Sequence, residues 1–148
     1  MDKIVQEKSP HEAQHVAAMI ELKSDDVVID VGSGIGHVAR GLAPHAGAYV
    51  CADISEAVIE QCRKFTAGRP NVSCEILKRP TIVPLVRYAP TKIFSNNVFI
   101  HMAIFEMVHY LRQVSEMLPR GCIFYCNFND ADYLGGAHDE AFEDMLHR

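Results

Sequence analysis

The apolar run Val27-Val28-Ile29 leads into Asp30-Val31-Gly32-Ser33-Gly34-Ile35-Gly36, and no other stretch restricts the possible folds as strongly. Such a run reads as a buried strand with a polar exit. Three glycines at alternate positions then make a turn in which main chain faces whatever is bound, because glycine has no Cβ to hold a ligand away. Asp53 lies 21 residues beyond Gly32, at the end of a second apolar run, Ala48 to Ala52. A carboxylate at the end of the second strand, beside a glycine loop, suits the hydroxyls of a ribose. The pattern predicts a nucleotide-type cofactor domain.

The spacing speaks against a nicotinamide. A dinucleotide fingerprint reads G-x-G-x-x-G, whereas here the third glycine is Gly36 and His37 follows it. Asp30 also adds negative charge where a pyrophosphate would have to sit. A cofactor carrying an ammonium group answers that charge better, since opposite charges attract in a partly closed pocket.

On these residues the chain resembles the class I, Rossmann-like, S-adenosyl-L-methionine-dependent methyltransferases. The family's D-x-G-x-G-x-G motif matches Asp30, Gly32, Gly34 and Gly36, and its second-strand acid matches Asp53. Its fourth-strand segment matches Phe94 to Met102, and the likeness extends roughly from Val16 to Phe128. The resemblance implies an α/β, three-layer sandwich around a mostly parallel sheet, with S-adenosyl-L-methionine as cofactor and methyl transfer as reaction. It implies that Asp30, Gly32, Ser33 and Gly34 hold the methionyl part, Asp53 the ribose and Ile54 the adenine, with Asn96 near the cofactor. His101, just beyond the fourth strand, becomes the candidate general base. Two departures stand out: Leu77-Lys78-Arg79-Pro80-Thr81 lacks the acid that many members place after the third strand, and Lys92 replaces an acid at the start of the fourth. Thr81 or a main-chain group then has to meet the adenine edge.

Alternation of period-two and helical patterns gives strands at Val27 to Val31, Ala48 to Ala52, Val72 to Leu77, Lys92 to Ser95 and Cys122 to Phe128. Helices are expected from Pro10 to about Leu22, Gly36 to Ala43, Ser55 to about Gly68, Ala103 to Leu118 and His138 to His147, with a weak one from Ile82 to Tyr88. In the first helix Ser9 is the expected N-cap, Pro10 the first helical residue and Glu12 the reciprocal capping partner. Strands separated by helices make a parallel sheet. The whole chain, 148 residues with 49% apolar composition, reads as one domain.

His11-Glu12-Ala13-Gln14-His15 also fits H-E-x-x-H, the zinc-protease pattern. It falls in a terminal helix, no third ligand is evident, and capping already accounts for Glu12, so no metal is expected. The five cysteines are an odd set lying mostly in strands, and they read as reduced packing thiols. Cys122 and Cys126 are about 13 Å apart along a strand, too far to share a metal. A formal charge of −5 with no basic block speaks against nucleic acid and anionic membranes as partners, which leaves a small-molecule acceptor. No apolar stretch is long enough to span a bilayer and no signal-peptide core is visible, so a cytoplasmic protein is expected.

The family sheet has seven strands, whereas 20 residues follow Phe128, so the domain reads as truncated after strand five. Cys122-Ile123-Phe124-Tyr125-Cys126 is apolar on both faces, and an open edge of that composition invites pairing with a second copy. Either a homodimer through this edge is expected, to be seen by sedimentation at micromolar concentration, or the chain is a fragment of a larger methyltransferase whose acceptor site is incomplete and whose isolated activity is weak. A strict monomer would count against the homodimer.

Overall fold

The computed structural model describes residues 3–78 and 81–128. In chain order the elements are α1 (Lys3–Met19), β1 (Val27–Val31), α2 (His37–Leu42), β2 (Ala48–Asp53), α3 (Glu56–Phe65), β3 (Val72–Ile76), β4 (Lys92–Ser95), α4 (Ile104–Met117) and β5 (Ile123–Cys126). Short 3-10 turns occupy Ala43–His45, Val83–Tyr88 and Phe99–His101. The strands form one parallel sheet in the order β3-β2-β1-β4-β5. This is the α/β, Rossmann-like architecture that the alternation implied. Among the described residues β5 pairs with β4 alone. The helix expected from His138 to His147 lies outside the described residues.

Strands covered on both sides need apolar residues on both sides, and β1 and β2 supply them. Ile29, Val31, Val50, Ala52 and Ile93 pack beneath α4 with Tyr110, Val114 and Met117. On the other face Val28, Tyr49, Cys51 and Phe94 pack beneath α1, α2 and α3 with Val16, Ile20, Leu42 and Cys62. Each face thus has its own core, and the sheet is the middle layer.

Two polar ties fix β1 against β4. At the entry end, Thr91 Oγ1 donates to Asp26 Oδ1 (2.6 Å) and accepts from Val27 N (3.1 Å). At the exit end, Ser95 Oγ donates to the Val31 carbonyl (2.9 Å) in a fully buried setting. Because β2 and β3 lie to one side of β1 while β4 and β5 lie to the other, the chain changes direction between β1 and β4. The ends of these two strands therefore diverge, and a crevice opens above them.

The start of α1 differs from expectation. The helix already runs from Lys3, so Ser9 and Pro10 lie within it rather than at its N-terminus. Glu12 does not cap it either. Its carboxylate reaches the end of β4, where Oε1 accepts from Asn96 Nδ2 (2.5 Å) and Asn97 Nδ2 (3.1 Å). Two asparagine amides offered a better partner than the helix main chain. By contrast, Ser55 does cap α3, its Oγ accepting from Val58 N at 3.4 Å.

Asn71 secures the turn into β3. Its Nδ2 donates to the Ala43 carbonyl (2.7 Å) and the Ala46 carbonyl (3.0 Å), tying the α2–β2 connection to the strand beyond. Asn71→Ala removes both bonds, leaving the Ala43 carbonyl with Ala46 N alone and the Ala46 carbonyl to find another partner. It should lower stability by about 1–3 kcal/mol, read as a shift of the urea midpoint. An unchanged midpoint would show that these bonds are replaced by water without loss.

Candidate functional site

A cleft of about 660 Å³ opens above the β1/β4 divergence, lined by Val31, Gly32, Asp53, Ile54, Leu77, Lys78, Asn97, Val98, His101, Met102, Glu106 and Tyr110. Four of the residues singled out from sequence stand on its wall: Gly32, Asp53, Ile54 and His101. The others are placed around it in different ways.

Gly32 bends the chain out of β1 with φ +77°, and its amide donates to the Ala52 carbonyl at 2.7 Å. A Cβ here would stand 2.3 Å from Val98 Cγ2, so both the left-handed conformation and the neighbour require glycine. Asp53 ends β2 and is fastened from two directions: Oδ2 accepts from Gly34 N (3.2 Å) and Oδ1 from Ser55 N (3.0 Å). Each carboxylate oxygen keeps a lone pair for a further donor. Beside it Ile54 is 68% exposed, an apolar side chain left in the open at the cleft. The Ser33 hydroxyl donates to the Gly34 carbonyl at 3.5 Å and lies near Cys62.

Asp30 is not on the wall. It is buried beneath the loop, where its Oδ2 accepts a hydrogen bond from Tyr49 Oη at 3.0 Å. Burial pushes its carboxyl up to about 8, further than the Tyr49 bond can draw it back. Asn96 is likewise off the wall, engaged with Glu12, while its neighbour Asn97 lines the cleft. Asn97 has φ +60° and exchanges two hydrogen bonds with Asn127: its amide donates to Oδ1 (2.6 Å) and its own Oδ1 accepts from Nδ2 (2.8 Å). Thr81, expected as a stand-in at the adenine edge, instead donates to Gln113 Oε1 at 2.9 Å.

Sequence reasoning passed over Val98, Met102, Glu106 and Tyr110. The last two are four residues apart on α4, hence on one helical face, and that spacing was the available signal. Glu106 also accepts from Ala103 N (2.9 Å), which seats the first turn of α4 beside the cleft. In the H-E-x-x-H stretch, His11 is exposed and His15 Nε2 lies 3.2 Å from Tyr125 Oη, with Glu12 held by the two asparagines. Among the described residues, the only three potential ligands that converge are Cys51, Cys62 and Cys74.

The glycine loop, the strand-end carboxylate and the β1/β4 crevice are the parts a nucleoside cofactor site needs. Residues 29–124 match the family model of a methyltransferase domain. The chain belongs to the class I, Rossmann-like, S-adenosyl-L-methionine-dependent methyltransferase family. Its fold is similar to that of Haemonchus contortus phosphoethanolamine N-methyltransferase 1, solved with phosphoethanolamine and S-adenosylhomocysteine (TM-score 0.71, 18% identity, 85% of this chain and 27% of that one). It is also similar to a presumed S-adenosyl-L-methionine-dependent methyltransferase of Methanococcus maripaludis (0.70, 17%, 98% and 65%). A third likeness is to the cyclase SpnF (0.68, 18%, 79% and 43%). This methyltransferase-family chain thus spans between 27% and 65% of the length of these three proteins.

The buried Asp30 gives a pH signature. Its folded pKa lies above the unfolded value, so folding retains a proton that the unfolded chain releases. The associated stability is complete below about pH 4 and is lost as pH rises toward about 8. In cofactor-free protein, Asp30→Asn should therefore gain stability relative to wild type as pH rises from 5 to 8, read as the difference in melting temperature. A difference that stays constant over that range would show that Asp30 is ionised in the fold.

Proposed function

We propose that this chain binds S-adenosyl-L-methionine in the β1/β4 cleft and serves methyl transfer to a small-molecule acceptor. The observation that carries the reading is the Asp53 carboxylate, held at the cleft by Gly34 N and Ser55 N. Two ribose hydroxyls find their acceptor there, with Ile54 alongside as an apolar surface for adenine. The main chain at Gly32 and Gly34 faces the methionyl part, and a Cβ at Gly34 would meet nothing within 4 Å. Asp30 contributes from beneath, as the buried support of the loop. Held by Asp53, Ile54 and the Gly32–Gly34 main chain, the cofactor would supply a sulfonium methyl to an acceptor lone pair, its carbon–sulfur bond giving way to leave a neutral thioether. Much of the protein's share is then positioning.

His101 is the base in this reading. It is exposed at the cleft, on the 3-10 turn Phe99–His101 that follows β4, and can take the proton an amine or hydroxyl acceptor loses. The net charge of −5 favours a small acceptor over nucleic acid. Five free cysteines suit a reducing, cytoplasmic setting, and no helix among the described residues is long and apolar enough to cross a membrane. The β5 edge is the surface for a second copy.

A second reading, cofactor binding without transfer, draws on Leu77 and Lys78 at the cleft in place of an acid, and on the likeness to a cyclase. Calorimetry separates cofactor classes: S-adenosylhomocysteine should bind and NAD should not. Asp53→Ala should weaken binding by about 1.5–3 kcal/mol for each lost hydrogen bond. His101→Gln should leave that affinity unchanged and cut turnover about 100-fold or more. Tight NAD binding, or full affinity in Asp53→Ala, would sink the cofactor assignment. S-adenosylhomocysteine binding with no methyl transfer to amines or hydroxyls would favour the second reading.

A further inference from the structure

Beneath the glycine loop, on the face away from the cleft, three thiols converge from three elements. Cys51 lies on β2, Cys62 on α3 and Cys74 on β3, and their sulfurs all lie within 4.8 Å of one another. Cys62 and Cys74 Sγ are 3.6 Å apart. Cys51 and Cys74 are register partners on adjacent parallel strands, which puts both side chains on the same side of the sheet, under α3. We propose that Cys51, Cys62 and Cys74 form a three-thiolate site for a soft, thiophilic metal ion, monovalent copper fitting better than zinc.

The geometry needs little adjustment. With metal–sulfur bonds of about 2.3 Å, three sulfurs around a trigonal ion stand about 4.0 Å apart, close to the 3.6 Å between Cys62 and Cys74 and inside the 4.8 Å that bounds all three. Thiolate sulfur selects copper(I) and zinc over hard cations. No fourth histidine, cysteine or carboxylate joins the group among the described residues, which favours an ion content with three sulfurs over one that seeks a tetrahedron. On binding, the ion displaces thiol protons to solvent, and neither metal nor sulfur changes oxidation state.

The surroundings meet the other demands of a metal site. Cys51 and Cys62 are fully buried, whereas Cys74 is partly exposed on the outer strand β3 and provides the way in. Arg63 Nη2 donates to the Cys74 carbonyl at 3.3 Å, so a cation stands beside what becomes an anionic complex. Thr66 Oγ1 is 3.8 Å from Cys74 Sγ and bonds the Cys62 carbonyl at 2.8 Å, fixing the third thiol-bearing turn. The site also touches the loop: a Cβ on Gly36 would stand 2.9 Å from Cys62 Sγ. An ion here fastens β2, α3 and β3 together directly under the residues that form the cleft's Asp53 side.

The test uses the full chain, reduced and metal-free, with copper(I) buffered by bicinchoninate under nitrogen and, separately, zinc(II) in competition with a chromogenic chelator. One equivalent of copper(I) per chain is expected, with thiolate-to-metal charge-transfer absorption and a raised melting temperature. Cys62→Ser and Cys74→Ser should each lose the equivalent, while Cys122→Ser, outside the group, should keep it. Circular dichroism shows which variants fold, and the partly exposed Cys74 position serves if Cys62→Ser does not. Absence of a stoichiometric equivalent in the wild type, or its survival in both cysteine variants, overturns the site. Zinc binding in preference to copper(I) overturns the three-coordinate assignment.

Discussion

Everything in this structure hangs on the divergence of β1 and β4 and on how closely Gly32 approaches Val98 across it. The two strands are tied at both ends by hydroxyls, the half-buried Thr91 at the entry and the buried Ser95 at the exit. Beyond the exit tie the chains must separate, β1 into the glycine loop and β4 into the turn that carries Asn97 and His101. The floor between them is set by a contact that leaves no room for a Cβ on Gly32. A larger residue there would have to push the β4 turn outward and reshape the cleft that both loops line. One missing methyl group therefore governs the shape of the site.

The loop is held from below as well as from the side. Its first support is the hydrogen bond from the Gly32 amide to the Ala52 carbonyl at 2.7 Å, with the buried Asp30–Tyr49 pair nearby in β1 and β2. Its second is α3, where Gly36 rests against Cys62 and Thr66. Its third is Asp53, whose two oxygens bridge the loop amide of Gly34 and the first amide of the α3 cap region. A carboxylate that already accepts two main-chain donors is fixed in direction before any ligand arrives, so its remaining lone pairs are offered without further ordering cost. A pre-arranged acceptor of this kind suits a donor that approaches from the cleft.

The fold was largely legible in the sequence because its signals are local. Val27 to Ile29 and Ala48 to Ala52 are continuous apolar runs, Ser55 is a standard cap, and alternation of strands with helices leaves few arrangements of a parallel sheet. The β1 and β4 boundaries match the observed ones, whereas β5 ends at Cys126, short of Phe128. The site was legible only where it follows directly from a strand end, as at Gly32, Asp53, Ile54 and His101. It was not legible where partners meet across the sheet. Ser9, Pro10 and Glu12 fit a capping pattern in sequence, yet the helix begins earlier and Glu12 is claimed by asparagines more than 80 residues away. The cysteines show the same limit: the sequence places Cys122 and Cys126 too far apart along one strand to share a metal, while the three that converge come from β2, α3 and β3.

These long-range contacts also divide the labour between the two faces of the sheet. On the α4 face the residues that line the cleft, Met102, Glu106 and Tyr110, stand on or next to a single helix, so the shape of that wall can change by altering one helical surface. On the opposite face α1 reaches over the strand ends, and the Glu12 carboxylate meets Asn96 and Asn97 where β4 enters its turn. Asn97 is in turn locked to Asn127 beyond β5. The residue at the rim of the cleft is thereby fixed by α1 and by the segment after β5, neither of which lines that cleft among the described residues. A left-handed asparagine costs little by itself, since its short side chain tolerates that conformation; what it gains here is a backbone direction that turns the chain toward Val98 and His101. The cleft is thus bounded on the loop side by glycine geometry and on the β4 side by an asparagine network, two solutions to the same need for sharp main-chain turns at the ends of parallel strands.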